Sequence, residues 1–458
     1  MSQDTIAAVS TANGRGGVAI VRVSGEDALA VAEKMFLPVG KIPVKDFVPY
    51  TMYPGKILAE RFTDFGLCVI FRAPASYTGE NVVEFHCHGG TEIARGILKN
   101  AFLHGARPAE AGEFTRRAFL NGKMSLAGAE GVADMINADS ESMIRAGYSL
   151  LNNELGKEIA AVQNKITTLL AGIEADIDYP EEGLDESIPD LVHIREQIGA
   201  LRGVLDGLFR SYETVGKNVK SGVSVAIVGR PNSGKSSLLN AILGKNKAIV
   251  SDIEGTTRDI VEGEIHLNGF RFCLYDTAGI RESRDVVERI GVERAENILE
   301  EADVVLHVTD ASEPPHKTDE EILRRGRERK RSLYLVVLNK SDLPARQREG
   351  EGLWKGEECV CVSARGGVGV EEIRKRLSVV AEEEYRIDGV SVVEERHYRA
   401  LCKARDILTD AEKNCGGVPL DLLSIDLSSA WQSLGEITGE TANEEIISEI
   451  FSKFCVGK

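Results

Sequence analysis

The chain has no apolar run approaching the ~18 residues that a membrane span requires, and its start, MSQDTIAAVS, carries neither a charged n-region nor an apolar h-region. A membrane or exported protein is not expected; a soluble, cytoplasmic one is. The 8 cysteines are scattered with no C-x-x-C pair, which leaves no small-domain disulfide framework and fits a reducing compartment. Net positive charge is missing as well. A formal charge of −17 argues against a general nucleic-acid-binding surface, so any RNA partner must meet a local patch. The deficit is uneven, because residues 1–125 hold 14 Lys and Arg against 12 Asp and Glu. What is present, 458 residues at 43% apolar and 28% charged, is the composition of a globular chain of about three domains.

One stretch carries more chemistry than any other. Gly229 to Ser236 read GRPNSGKS, a fit to G-x-x-x-x-G-K-S, with an apolar strand pattern over 223–228 before it and a helix-forming segment over 237–243 after it. That strand, loop, helix order is what a phosphate-binding P-loop requires. Gly229, Asn232, Ser233 and Gly234 supply the turn and its inward N–H groups, Lys235 the cation for the β and γ oxygens, and Ser236, followed by Ser237, a hydroxyl for Mg²⁺.

The base is read about a hundred residues later. The apolar run 333–338 predicts a buried strand with Asn339-Lys340-Ser341-Asp342 at its carboxyl end, where ligands bind in open α/β sheets. Asp342 can accept from both N1–H and the 2-amino group of guanine, whereas adenine would leave the carboxylate unpaired, a mismatch expected to discriminate by roughly 10⁴-fold in a buried site. Ser363, Ala364 and Arg365 follow a second apolar run, 359–362, and complete the pocket, with the Ala364 N–H available to the guanine oxygen. Cys359 and Cys361 alternate along that run and read as core packing rather than metal ligands.

Between these landmarks lie the expected γ-phosphate sensors. Asp276-Thr277-Ala278-Gly279 ends a strand, 271–275, that pairs with 262–267 through an Asn268-Gly269 turn. Asp276 is placed to hold Mg²⁺ through water and the Gly279 N–H to meet the γ-phosphate. Upstream, Thr256 and Thr257 fall in a Gly-Thr-Thr-Arg-Asp segment, with Thr257 the second hydroxyl for Mg²⁺. Ile280 stands where a Ras-like enzyme would carry a water-orienting glutamine. Spacing alone leaves Arg281, Glu282 and Glu288 open as substitutes.

Three blocks frame this domain. Residues 1–123 mix β-type runs (17–23, 82–86) with a helical segment (91–104) and read as α+β. Residues 124–216 and 383–458 have helical spacing, including an amphipathic stretch over 444–454. Residues 217–382 are the nucleotide-binding domain, expected as an insertion in a discontinuous helical domain, since insertion at an exposed loop is tolerated when the inserted ends lie close together. The acidic run 173–182 reads as a solvated helix end and loop. For Cys455, beside the chain's last Lys458, a buried packing role and a chemical one both stay open. His86, Cys87 and His88 alternate faces on one strand and favour pocket or core over a metal.

Five segments carry a family resemblance: GRGGVAIVRVSG (14–25), YTGENVVEFHCHGG (77–90), AGEFTRRAFLNGK (111–123), the mid-chain P-loop domain, and FCVGK (454–458). Together, and in this order, they resemble the MnmE (TrmE) family of tRNA-modification GTPases. The resemblance implies a multidomain α/β protein in which a Ras-like P-loop GTPase domain is inserted in a discontinuous helical domain, with an N-terminal α+β domain that binds 5-formyl- or methylene-tetrahydrofolate and forms a homodimer. The folate positions it implies are Arg22, Glu84, Lys123 and Lys458. It also implies work with an FAD-dependent partner, MnmG, on carbon 5 of the wobble uridine of tRNA. GTP hydrolysis would be stimulated by K⁺ held by Asn232, Ser251, Ile253 and Thr256, with Glu288 orienting the water and Lys235 on the phosphates. Cys455 matches a cysteine the family needs for modification. A different class, a ribosome-assembly GTP switch without chemistry of its own, usually appends a basic RNA-binding module; none is evident after residue 382.

Overall fold

The computed structural model describes residues 4–178, 191–244, 263–276, 300, 302–328, 332–387 and 389–458. Near its start, side chains that alternate between buried and half-exposed make short strands: β1 (Ile6–Val9), β2 (Val18–Ser24), β3 (Phe36–Pro38), β4 (Tyr53–Leu58), β5 (Thr63–Phe71), β6 (Val82–His88) and β7 (Arg107–Pro108). They form one sheet in the order β3-β4-β5-β6-β2-β1-β7, antiparallel except for β1 with β7. Helices α1 (Ala28–Met35) and α2 (Thr91–Leu103) place Val31, Met35, Ile97 and Ala101 over one face of this sheet against Val21, Val23 and Phe85. Helix α3 (Glu113–Leu120) follows, entered through Gly112 at φ +67, where a Cβ would stand 2.6 Å from the Phe451 carbonyl oxygen.

Four helices come next: α4 (Leu126–Asn137), α5 (Glu141–Leu151), α6 (Glu154–Asp178) and α7 (Leu191–Ser211). The acidic run expected as a helix end does continue α6 to Asp178; the rest of it lies outside the described residues. After a short helix α8 (Lys217–Ser221), the chain enters the second sheet with β8 (Val223–Val228), α9 (Lys235–Leu243), β9 (Gly263–Leu267), β10 (Phe270–Asp276), β11 (Val304–Asp310), α10 (Lys317–Arg327), β12 (Leu333–Asn339), β13 (Cys359–Val362) and α11 (Val370–Glu384). The strand order is β13-β12-β11-β8-β10-β9, parallel apart from the β9–β10 hairpin. Asn268 and Gly269 turn that hairpin at φ +47 and +82, the left-handed pair a two-residue connection needs. Helices α9 and α11 cover one face through Leu238, Ile242, Ile373 and Leu377. This is the Ras-like P-loop fold, a nearly parallel sheet whose central strands β8, β11 and β12, buried on both faces, read as continuous apolar runs.

The chain closes with α12 (Glu395–Asn414), α13 (Leu420–Thr438) and α14 (Glu444–Ser452). Helix α13 packs on α6, with Gln163 Nε2 donating to the Trp431 carbonyl at 3.2 Å. The helical domain is therefore built from segments on both sides of the inserted GTPase fold. Helix α14 buries Ile447, Ile450 and Phe451, with Phe454 beyond it, against Leu126 and Ala129. Two compact units result, one of residues 1–136, 147–201 and 406–458 and one of 137–146 and 202–405.

Two sulfur assignments need correction or resolution. Cys359 is buried as expected but Cys361 is exposed, since β13 is the last strand of its sheet and has no neighbour beyond it. Cys455 is exposed too, which removes the packing alternative. Cys87 is buried and donates to the Ala19 carbonyl at 3.3 Å, and burial pushes its thiol up to about 11. Among the described residues no helix is long and apolar enough to cross a membrane.

Candidate functional sites

The P-loop owes its path to two glycines. Gly229 (φ +148) and Gly234 (φ +97) sit in left-handed backbone regions where a Cβ would approach the Val308 carbonyl oxygen to 2.1 Å and Asn339 Nδ2 to 2.1 Å. Both clashes are with atoms that cannot easily move aside, so only glycine fits. Asn232 adopts φ +63 at the exposed crest of the loop, a conformation asparagine tolerates better than most residues. Lys235 opens α9 and is buried; its Nζ donates to the carbonyls of Gly229 (2.9 Å) and Arg230 (2.8 Å). Next to it Ser236 Oγ donates to Asp276 Oδ2 at 2.7 Å. A hydroxyl and a carboxylate, both hard oxygen donors, thus meet beside the loop, and this donor set suits Mg²⁺.

The base-reading residues are tied to the P-loop by one side chain. Asn339, buried at the end of β12, donates from Nδ2 to the Ser233 carbonyl at 2.8 Å, and its Oδ1 accepts from the Ala364 N–H at 3.1 Å. The Ala364 N–H expected to be open to guanine is therefore already engaged, because Asn339 spans the gap. Asp342 is exposed rather than buried, at the rim where no covering segment is described. Ser363 Oγ donates to its Oδ1 at 2.6 Å, and with that bond as the leading cause its carboxyl is held below the usual range. Lys340 (φ +61) points its Nζ to Asp310 Oδ2 at 2.6 Å. Asp310 ends β11, a strand the sequence reading passed over although its run Val304–Asp310 is buried throughout. Arg365 is exposed and Ser237 sits in the first turn of α9. Ser251, Ile253, Thr256, Thr257, Thr277, Ala278, Gly279 and Glu288 lie outside the described residues.

A second cluster forms on the first sheet. Arg22 and Glu84 are direct cross-strand partners of β2 and β6, joined by a 2.8 Å Nε–Oε1 ion pair. The Arg22 guanidinium lies 5.6 Å from the Tyr77 ring centre and 5.5 Å from that of Phe114, within cation–π range of both. Glu84 Oε2 faces His86 Nε2 at 3.4 Å. Burial alone would raise the Glu84 carboxyl, but the His86 and Arg22 contacts together hold it below the usual range. The loop bearing Tyr77 is set by a buried network: Glu80 receives Arg117 Nη1 at 3.1 Å and Ser24 Oγ at 2.7 Å, and Tyr77 shares a hydrogen bond with Thr115 at 2.9 Å. Lys123 Nζ reaches the Pro74 carbonyl of the same loop at 3.0 Å. The C-terminal segment docks here as well. Val456 bridges Ala111, the Lys458 carbonyl accepts from the Phe114 N–H at 3.2 Å, and Gly457 (φ +99) passes so close that a Cβ would stand 2.2 Å from the Val9 carbonyl oxygen. Of the four positions implied by resemblance, Arg22 and Lys123 touch the loop that carries Tyr77, Glu84 pairs with Arg22, and Lys458 lies along Phe114.

Models of known families match both parts of the chain: the GTP-binding protein TrmE N-terminus over residues 5–123 and the MnmE helical domain over 126–455. The tRNA modification GTPase MnmE of Acetivibrio thermocellus is 41% identical over all of this chain and 99% of its own length, and that of Carboxydothermus hydrogenoformans is 42% identical over the full length of both. The chain belongs to the MnmE family of tRNA-modification GTPases. Among solved structures, the G domain of the T. maritima FeoB iron transporter is 28% identical and covers 35% of this chain and 98% of its own, with a TM-score of 0.27. Membership in the MnmE family accounts for both clusters on one polypeptide, a GTPase centre and an N-terminal domain of its own type.

Proposed function

We propose that this protein hydrolyses GTP to drive a folate-dependent modification at carbon 5 of the wobble uridine of tRNA, acting in the cytoplasm as a homodimer together with an FAD-dependent MnmG-type partner. The observation that carries the folate half is the Arg22–Glu84 pair under the Tyr77 and Phe114 rings. A half-buried carboxylate can accept from a pterin's donors, aromatic rings can flank its plane, and Lys123 and Lys458 offer cations to an anionic tail. Tetrahydrofolate, when bound, supplies the one-carbon unit. Cys455, exposed on the segment that runs along Phe114, supplies the thiol for the modification in this reading.

In the GTPase half, Lys235 leaves the Gly229 and Arg230 carbonyls for the phosphate oxygens, and Ser236, Thr257 and Asp276 would hold Mg²⁺, which would supply charge to the phosphate oxygens. Asn232, with Ser251, Ile253 and Thr256, would hold K⁺, whose charge would offset that developing toward the leaving group. Glu288 orients the water. Domains at 1–123, 124–216, 217–382 and 383–458 divide this labour.

Titrating the full-length chain with 5-formyl-tetrahydrofolate, and analysing wobble uridines by mass spectrometry in cells lacking the protein, tests the folate and modification steps. Binding that persists unchanged in Glu84→Gln, or unaltered wobble uridines, would sink the reading. Hydrolysis should fall steeply when K⁺ is replaced by Na⁺ at matched ionic strength.

A further inference from the structure

The second residue of the P-loop, Arg230, has a partner that its motif does not call for. Its guanidinium is half-buried, with Nε 3.2 Å from Oδ2 of Asp319, a carboxylate that is completely buried, and Nη1 3.3 Å from the exposed Glu313. Asp319 stands in the first turn of α10, where its Oδ2 also accepts from the His316 N–H at 3.0 Å to complete a capping box. Capping explains an acidic residue at that position but not its burial, since a capping carboxylate normally stays solvated and a buried one needs a cation. Behind it lies His307 of β11, fully buried, with Nε2 3.6 Å from Asp319 Oδ1 and Nδ1 2.9 Å from the Tyr334 hydroxyl. A line of polar groups therefore runs from β12 through β11 and α10 to the loop that wraps the phosphates.

We propose that Asp319 is a positioning residue for GTP binding, holding Arg230 and through it the first peptide units of the P-loop. The Gly229 and Arg230 carbonyls are the ones on which Lys235 rests, so fixing Arg230 fixes the platform from which that lysine reaches the phosphates. Arg230 Nε, Asp319 Oδ1 and His307 Nε2 are buried without an aligned hydrogen bond; the Arg230–Asp319 contact is an attraction of charges, and its geometry can tighten when an anion enters the loop. Burial would raise the Asp319 carboxyl, but His307, the His316 N–H and Arg230 hold it low and ionised.

The anchor fixes the Gly229 and Arg230 carbonyls and not Asn232 at the loop crest, so its loss acts mainly on uniform binding: KM rises and kcat moves little. The test uses the full-length chain, a fluorescent GDP analogue for affinity, and GTP turnover, in Arg230→Met, Asp319→Asn and the double variant. Each single change should weaken GDP binding and raise the GTP KM about tenfold with kcat moved less than twofold, and the double should be no weaker than the weaker single, because the two residues act as one unit. Leu323→Ala, which hollows the core under α10 without touching the pair, should lower the melting temperature and leave affinity unchanged. Unchanged affinity in either single, losses that multiply in the double, or an equal loss in Leu323→Ala would overturn the proposal. Should Asp319→Asn not fold, Arg230→Lys decides it: recovery of most of the affinity lost in Arg230→Met supports the ion pair, and no recovery refutes it.

Discussion

Ser236 Oγ and Asp276 Oδ2 are 2.7 Å apart although the two residues are 40 positions apart in sequence. A hydroxyl from the start of α9 and a carboxylate from the end of β10 are held together by two neighbouring parallel strands, β8 and β10. Asp276→Ala should therefore slow Mg²⁺-supported GTP hydrolysis by ~10²-fold or more, and tRNA modification in cells should fail with it. A turnover assay across Mg²⁺ concentrations is the check; a variant restored to full rate by high Mg²⁺ would show that Asp276 only sets affinity for the ion.

Asn339 connects the base-reading strand to the P-loop through the Ser233 carbonyl and the Ala364 N–H. Replacing it with alanine leaves both backbone groups without their partner, at a cost of about 1–3 kcal/mol for each that stays buried. Guanine-nucleotide affinity should fall by at least ~10-fold, and the melting temperature of the nucleotide-free chain should fall too. Calorimetric titration with GDP beside a thermal melt measures both; a loss of affinity with no loss of stability would mean the side chain serves the ligand and not the loop.

Cys455 is exposed, and phosphoryl transfer needs positioning and charge neutralisation at the nucleotide rather than a thiol. Cys455→Ser should keep K⁺-stimulated hydrolysis and folate binding near normal while wobble modification in cells is lost. Full modification by the serine variant would remove the thiol from the chemistry.

The pH dependence of stability should carry the mark of Glu113. Burial alone would raise its carboxyl, but hydrogen bonds from Arg107, the Glu110 N–H and Arg117 hold it below the usual range, and Arg107 is also the leading cause that lowers Asp4. A carboxyl lowered in the folded state contributes its full stability above the unfolded value, about 4.3 for glutamate, and loses it as pH falls through the folded value. Thermal melts should show a decline that begins near pH 4 and deepens on further acidification. Arg107→Ala should reduce the stability at pH 7 and flatten that decline; an unchanged slope would assign the acid sensitivity elsewhere.

What could be read from the sequence was local. The P-loop, the Asn268-Gly269 turn and the strands 223–228 and 359–362 depend on neighbours within a few residues, and the structure returns them with boundaries shifted by little. Strand β11 has no such local signal, because Val304–Asp310 is largely apolar without alternation, a pattern that fits a helix segment equally and carries no motif. The Arg230–Asp319 pair and the Glu80–Arg117 network join residues distant in sequence, and nothing in either segment announces the other. The engagement of the Ala364 N–H and the exposure of Asp342 also follow from how loops meet.

Arg116 and Glu444 pair at 3.4 Å although they stand 328 positions apart in the chain, beside the place where Val456 and Lys458 lay their backbone along residues 111–114. Closing so long a loop is thermodynamically mild, since each doubling of length adds only about 0.6 kcal/mol, but it is kinetically late, because non-local contacts form after local ones. The face bearing Arg22 and Glu84 can thus be complete only after α13 and α14 have packed. A chain cut short within the GTPase fold would lack Val456 and Lys458 and so leave the backbone of Ala111 and Phe114 without these partners.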